Sequence, residues 1–158
     1  MPLDIKDTIY ETHDYSIITL QTPHVDREDG GHVVIVLKTS DCTKLSDLNL
    51  DLARKLSVLS VIAGKSMERS LSENGVDIDL INYQVNGNWS VNEPKRDPLH
   101  MHLYGRSKSA KRQTYGEALF LPLPSTGFYN NVAGLNQSDI EKMRKYIEDL
   151  ISSADGLI

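Results

Sequence analysis

Residues 97–106 read DPLHMHLYGR. Leu99, Met101 and Leu103 alternate with His100, His102 and Tyr104, a period of two that predicts a strand with both imidazoles on one face. Such a pair has three readings. It can be a solvent-exposed pair on an edge strand. It can be half of a zinc site, since positions i and i+2 of a strand aim two imidazoles the same way; His13, His24 or His32 would then have to arrive through the fold as third ligand. Or it can attack phosphorus. A neutral imidazole, whose pKa is ordinarily about 6.5, is a nucleophile near neutral pH. Attack on a phosphoryl group gives a phosphohistidine-type intermediate and splits one difficult displacement into two easier ones. A second imidazole facing the same way can donate to the non-bridging oxygens or protonate the leaving group.

The sequence on either side fixes the fold class. GHVVIVLK at 31–38 is a near-continuous apolar run suited to an interior strand, and YSIITL at 15–20 is β-branched and aromatic. With the polar loop QTPHVDREDGG between them they predict an antiparallel hairpin. From about Asp47 the period changes: Leu48, Leu52, Leu56, Leu59, Ala63 and Met67 mark one face of a long helix. Asp47 or Asn49 caps it, Asn74-Gly75 stops it, and Gly64 is a candidate bend. DIDLINYQV at 77–85 alternates as a strand, NGNWSVNEPKRDP is a polar loop, and LHMHLYG is the next strand. GRSKSAKRQT at 105–114 reads as a flexible basic loop and EALFLPLP as a short edge strand ended by its prolines. Asn136 or Ser138 caps a last helix whose apolar face is Ile140, Met143, Ile147, Leu150 and Ile151. The reading is α+β: an antiparallel sheet of four to six strands, a long helix packed on one face, and a C-terminal helix.

At 158 residues the chain is most simply one domain. A net charge of −5 argues against a nucleic-acid partner, so any phosphate site must be local. The single cysteine, Cys42, excludes an intramolecular disulfide and a multi-cysteine metal site and fits a reducing cytoplasm. The first fifteen residues lack the pattern of a signal peptide, and no apolar run approaches the roughly 18 residues of a membrane span. The expectation is a cytoplasmic protein with no membrane partner.

GGHVVIVLK, a long amphipathic helix, a strand entering a glycine-containing loop and then HMHLYGR together resemble the histidine triad superfamily of nucleotide hydrolases and transferases. The signature of that family is His-x-His-x-His, often ending in Pro-Arg or Gly-Arg, with Gly-His and apolar residues upstream. The resemblance covers about residues 15–106, with 107–158 a C-terminal extension, and is nearest to a branch with NGNW and HxHxYGR. Aligned on Arg106, His100 is the middle, nucleophilic histidine, His102 the third, and Pro98 stands where the first belongs. In the other register His100 is first, His102 is the nucleophile and Tyr104 replaces the third. The resemblance further implies His32 beside the active site and Gln21 at the ribose hydroxyls, with Asp26 and Asp29 competing for that role. It places Asn86, Asn88 and the Gly87 backbone around the phosphates, Trp89 on a base or sugar, and Arg106 with Lys108, Lys111 and Arg112 as local positive charge. It implies a nucleotide phosphohydrolase or nucleotidyl transferase acting on a phosphoanhydride or phosphoramidate, with no metal or other cofactor, in a homodimer. The alternative is an inactive nucleotide- or phosphate-binding module, because Pro98 breaks the triad.

Overall fold

The computed structural model describes residues 3–39, 41–91 and 93–153. Five strands, β1 (Ile5–Glu11), β2 (Tyr15–Leu20), β3 (His32–Leu37), β4 (Ile78–Gln84) and β5 (His100–Ser107), form one sheet. Their order is β1-β2-β3-β5-β4, and every neighbouring pair is antiparallel. Helix α1 (Leu50–Glu73) connects β3 to β4, and α2 (Gln137–Ser153) ends the described chain.

Alternation along the inner strands assigns a task to each face. Val33, Ile35, Leu37 and Leu103 point to the helix side and merge with Leu56, Leu59, Ala63, Met67 and Leu71 of α1 and Ile140, Met143 and Ile147 of α2 in one core. Each such side chain contributes about 1.5–3 kcal/mol on burial, and both helices lie on this face. His32, Val34, His100, His102 and Tyr104 point to the other face, where β3 and β5 pair in the register Val34↔His102 and His32↔Tyr104.

Asn49 caps α1, its side chain accepting from the Leu52 N–H at 2.9 Å. Gly64 does not interrupt the helix, which runs unbroken; instead a Cβ there would run into the Tyr83 hydroxyl. At α2 the cap is Asn136, whose side chain accepts from Asp139 N–H while Asp139 accepts from Asn136 N–H, two otherwise unpaired donors satisfied reciprocally.

Two features differ from the sequence expectation. β1 lies in the first fifteen residues, where no strand is predicted: only Ile9 is buried along it and its pairing with β2 shifts register twice, so its sequence lacks a clean period of two. The predicted edge strand EALFLPLP is not a strand. Pro122 and Pro124 have no N–H for a ladder, and the Gln113 side chain instead grips Phe120 through both backbone groups, at 2.9 and 3.0 Å. The segment crosses the open face of the sheet and ends in a 3-10 turn at Pro124–Thr126.

Candidate functional site

A cleft of about 440 Å³ lies on the open face of the sheet, lined there by β5 and by Leu20 at the end of β2. His100, His102 and His24 share it with Asn86, Gly87 and Trp89 of the loop after β4, and with Leu20, Leu121, Leu123 and Tyr129. His100 and His102 therefore face one side, their rings 4.9 Å apart and edge to face.

Hydrogen bonds assign a proton to each imidazole. His100 Nδ1 lies 2.8 Å from the Pro98 carbonyl, which can only accept, so Nδ1 carries the proton and Nε2 keeps its lone pair. The backbone N–H of His24 donates to His32 Nδ1 at 3.1 Å, which leaves the His32 proton on Nε2. That N–H meets His102 Nδ1 at 2.9 Å, so His102 carries its own proton on Nε2. The Asn86 amide donates to the Tyr104 hydroxyl at 3.3 Å, and the hydroxyl reaches His24 Nδ1 at 2.9 Å. Among the described residues His24 Nδ1 is the one acceptor within reach of the Tyr104 proton, which places the His24 proton on Nε2. Burial holds three of these rings, His24, His32 and His102, neutral. It lowers His32 and His102 well below the ordinary imidazole value, with the neighbouring imidazoles adding to the effect. It pushes His24 down to about 4 against the opposing pull of Asp4. The same desolvation raises the Tyr104 phenol.

The ligand atoms of His24, His32 and His102 lie within 4.8 Å of one another, so the fold does assemble three imidazoles of the kind a zinc site needs. Their hydrogen bonds point elsewhere. His32 Nδ1 is already an acceptor, so metal at its Nε2 would demand an imidazolate or a broken contact to the His24 backbone. The donor set as built is a hydrogen-bond chain that orients His102.

Of the other expected site residues, Asn86 and Trp89 line the cleft. His32 lies behind it, 1 % exposed, as the support of His102. Asn88 opens a 3-10 turn, Asn88–Ser90, and its side chain lies outside the described residues. Gln21 is exposed and does not line the cleft, whereas Leu20, the last residue of β2, and Thr22 in the bend after it do. Asp26 accepts from Glu28 and Ala133 N–H. Asp29 is buried and accepts from the N–H groups of Lys111, Arg112 and Gln113 at 2.7–2.9 Å, so the basic loop is tied down through its backbone. Arg106 is 4 % exposed, and the two terminal nitrogens of its guanidinium donate to Asn82 Oδ1 and to the carbonyls of Thr114 and Glu117. Lys108 pairs with Asp79.

Arg106 and its neighbours thus leave the cleft without the expected positive charge, and the carboxylates lining it are Asp4, Glu93 and Asp97. Cations stand next door. A second cavity of about 450 Å³ shares Asn86, Gly87, Ser90, Asp97 and His100 with the first and is lined by Lys44, Arg96, Thr43 and Ser46. Sequence reasoning weighed His24 only as a metal ligand and Tyr104 only as a substitute histidine, and it overlooked Tyr129 and Thr22. The alternation of β5 places Tyr104 on the histidine face, but nothing in the sequence announces Tyr129, which reaches the cleft from an irregular segment.

No family model and no curated protein matches the chain. Solved structures do. A zinc-bound histidine triad family protein from Mycobacterium smegmatis superposes with a TM-score of 0.59 at 15 % identity, over 94 % of this chain and 89 % of the other. A histidine triad protein from Marinobacter aquaeolei VT8 gives 0.61 at 14 %, over 93 % and 91 %. Another from Sinorhizobium meliloti 1021 gives 0.58 at 13 %, over 90 % and 87 %. The likeness takes in most of the chain, beyond the stretch 15–106 where the sequence resemblance lies. At these identities it is one of architecture, and with the five-stranded antiparallel sheet, the long α1 and the C-terminal α2 it shows that the chain has the histidine triad fold.

Proposed function

We propose that the protein is a nucleotide phosphohydrolase or nucleotidyl transferase in which His100 is the nucleophile. The observation that carries the reading is the bond from His100 Nδ1 to the Pro98 carbonyl, which frees Nε2 as a lone pair in the cleft. This tautomer suits the register in which His100 is the middle histidine, and it needs no side chain at position 98, only the backbone carbonyl.

In the first step the Nε2 lone pair forms an N–P bond while the bond from phosphorus to the leaving group breaks, the leaving group departing with that electron pair. A phosphate leaves as an anion; an amine takes a proton from solvent. The imidazolium charge of the intermediate is shared through Nδ1–H with the Pro98 carbonyl. Water then attacks phosphorus, the N–P bond returns its electrons to Nε2, and the proton of the water passes to solvent; another acceptor in place of water gives transfer. His102 Nε2–H donates to a non-bridging oxygen, and His32 fixes its direction. Because burial keeps His102 neutral, it acts as a hydrogen-bond donor and not as an acid. The wall of Trp89, Tyr129, Leu20 and Leu121 suits a nucleobase. Lys44 and Arg96 beyond His100 suit the phosphates of the leaving group.

The homodimer is part of this proposal. The outer strand β4 exposes Leu80 and Tyr83, and α1 beside it exposes Val61, an apolar strip that a second copy would cover. Among the described residues no helix is long and apolar enough to cross a membrane; we place the reaction in the cytoplasm. The test is turnover of a panel of dinucleoside polyphosphates and adenosine phosphoramidate. His100→Gly should abolish it while nucleotide affinity stays within about tenfold. His102→Ala should slow it on the order of 10²–10³-fold. A wild-type protein that binds the panel without turning it over establishes the inactive binding module instead.

A further inference from the structure

β5 carries two histidines where three would stand, yet the cleft still receives three imidazoles. The third comes from the loop between β2 and β3. His24 is inserted between the nucleobase wall and the histidine pair, its ring 4.9 Å from Trp89, 5.3 Å from Tyr129 and 5.4 Å from His102. It is held there on several sides. Its backbone N–H is bonded to His32, its Nδ1 to Tyr104, and Tyr104 in turn to Asn86. Around it the loop is closed by Asp26, which accepts from Ala133 N–H, and by Arg27 N–H donating to the Ala133 carbonyl. A surface histidine needs none of this support. Among the described residues the chain of bonds leaves one group of His24 uncommitted, its Nε2–H, on a ring that lines the cleft.

We propose that His24 is a catalytic residue of the reaction read above, its Nε2–H donating to a non-bridging oxygen of the transferring phosphoryl group and so supplying the donor that Pro98 cannot. The inference rests on that reading. His102 and His24 then present two neutral N–H donors from opposite elements, one fixed by His32 and the other by Tyr104. Tyr104 and Asn86 are positioning residues: their task is to keep the His24 proton on Nε2, and with it the lone pair off the approaching oxyanion. This also explains a tyrosine two residues beyond His102 on the same face, where it is buried and touches His24 instead of serving as a third histidine.

The experiment uses the full chain with diadenosine tetraphosphate and adenosine phosphoramidate as probes, and AMP as a non-reacting ligand. His24→Ala should lower kcat on the order of 10²–10³-fold with AMP affinity unchanged within about threefold. His24→Gln, which keeps an N–H near the same place, should recover at least tenfold of that loss. Tyr104→Phe keeps the ring and removes the hydroxyl; long-range 1H–15N spectra should show His24 as the Nε2–H tautomer in the parent and as a mixture in this variant, with kcat reduced. A folded His24→Ala that turns over like the parent overturns the proposal and leaves the nucleophile reading intact. A loss confined to KM and AMP affinity overturns it too, by making His24 a ground-state contact. A parent that turns over neither probe overturns the reading and this proposal together, and a normal parent rate with no covalent adduct on His100 overturns the reading in a way the His24 variants cannot.

Discussion

Acidification from pH 7 to 5 should destabilise this protein far more steeply than its carboxylates can explain. Burial depresses the imidazoles of His24, His32 and His102 in the folded state. Above about pH 6.5 the rings are neutral whether the chain is folded or not, and they make no difference to the balance. Below it the unfolded chain takes up protons that the buried rings refuse, so stability falls as the pH drops, until the pH reaches the folded-state values. Each ring contributes up to about 1.4 kcal/mol per pH unit, and all three together about 4 kcal/mol per unit. For His24, with its folded value pushed down to about 4, the whole loss comes to roughly 3 kcal/mol. Between pH 6.5 and 5 the three rings together remove roughly 6 kcal/mol, a large share of the about 5–15 kcal/mol that a domain of ordinary stability holds. Carboxylates act later. Asp139, held low by Arg27 and Asn74 despite its burial, and Glu73, held low by Tyr146 and Arg69, give up their contribution only below about pH 4.5. Urea unfolding followed by circular dichroism at half-unit steps from pH 7.5 to 4.5 measures the slope directly. A free energy that stays flat within about 1 kcal/mol between pH 7 and 5 would show that the rings already carry charge in the native state, and the proton assignments built on neutral imidazoles would be wrong.

Three substitutions probe the rest of the account. Arg106→Met should cost about 2–4 kcal/mol, because Asn82 and the carbonyls of Thr114 and Glu117 lose their donor, while KM for nucleotide moves less than threefold; a tenfold rise in KM with stability unchanged would return Arg106 to the substrate. Gly105→Ala would place a Cβ against the Gly30 carbonyl, backbone on backbone, and should lower the melting temperature by at least about 4 °C; a shift below 2 °C would mean that the two chains are not held that close. Trp89→Ala should weaken nucleotide binding by about 1–3 kcal/mol, the usual contribution of a stacked base, as read by calorimetry, and unchanged affinity would move the base elsewhere.

What the sequence discloses depends on how local the cause is. β3 and α1 are legible because β3, interior to the sheet, is apolar almost throughout, and every third or fourth residue of α1 is decided by the core it faces. The polar β1 is not legible, since an edge strand needs only one buried side chain to be kept in place, here Ile9. The same rule divides the site. His100 and His102 share a face by strand geometry, and Asn86 and Trp89 come near because their loop leads straight into β5. Gln21 shows where that rule stops: β2 ends at Leu20, and in the bend that follows Thr22 lines the cleft while Gln21 is exposed. Arg106 lies on the correct face, but the segment 113–117 folds over it and takes its donors, an outcome set by Asp29 gripping the loop backbone from more than eighty residues away in sequence. His24 and Tyr129 arrive from loops whose positions rest on contacts of that long-range kind, such as Asp26 with Ala133.

The central claim is that His100 Nε2 carries the nucleotidyl group. Rapid acid-free quenching of the protein with each probe, followed by intact-mass and fragment analysis, tests it most directly. The account predicts an added nucleotidyl mass on the peptide containing His100, present in His102→Ala and absent in His100→Gly. An adduct on His102 instead, or turnover at the normal rate with no adduct on either histidine, would contradict it.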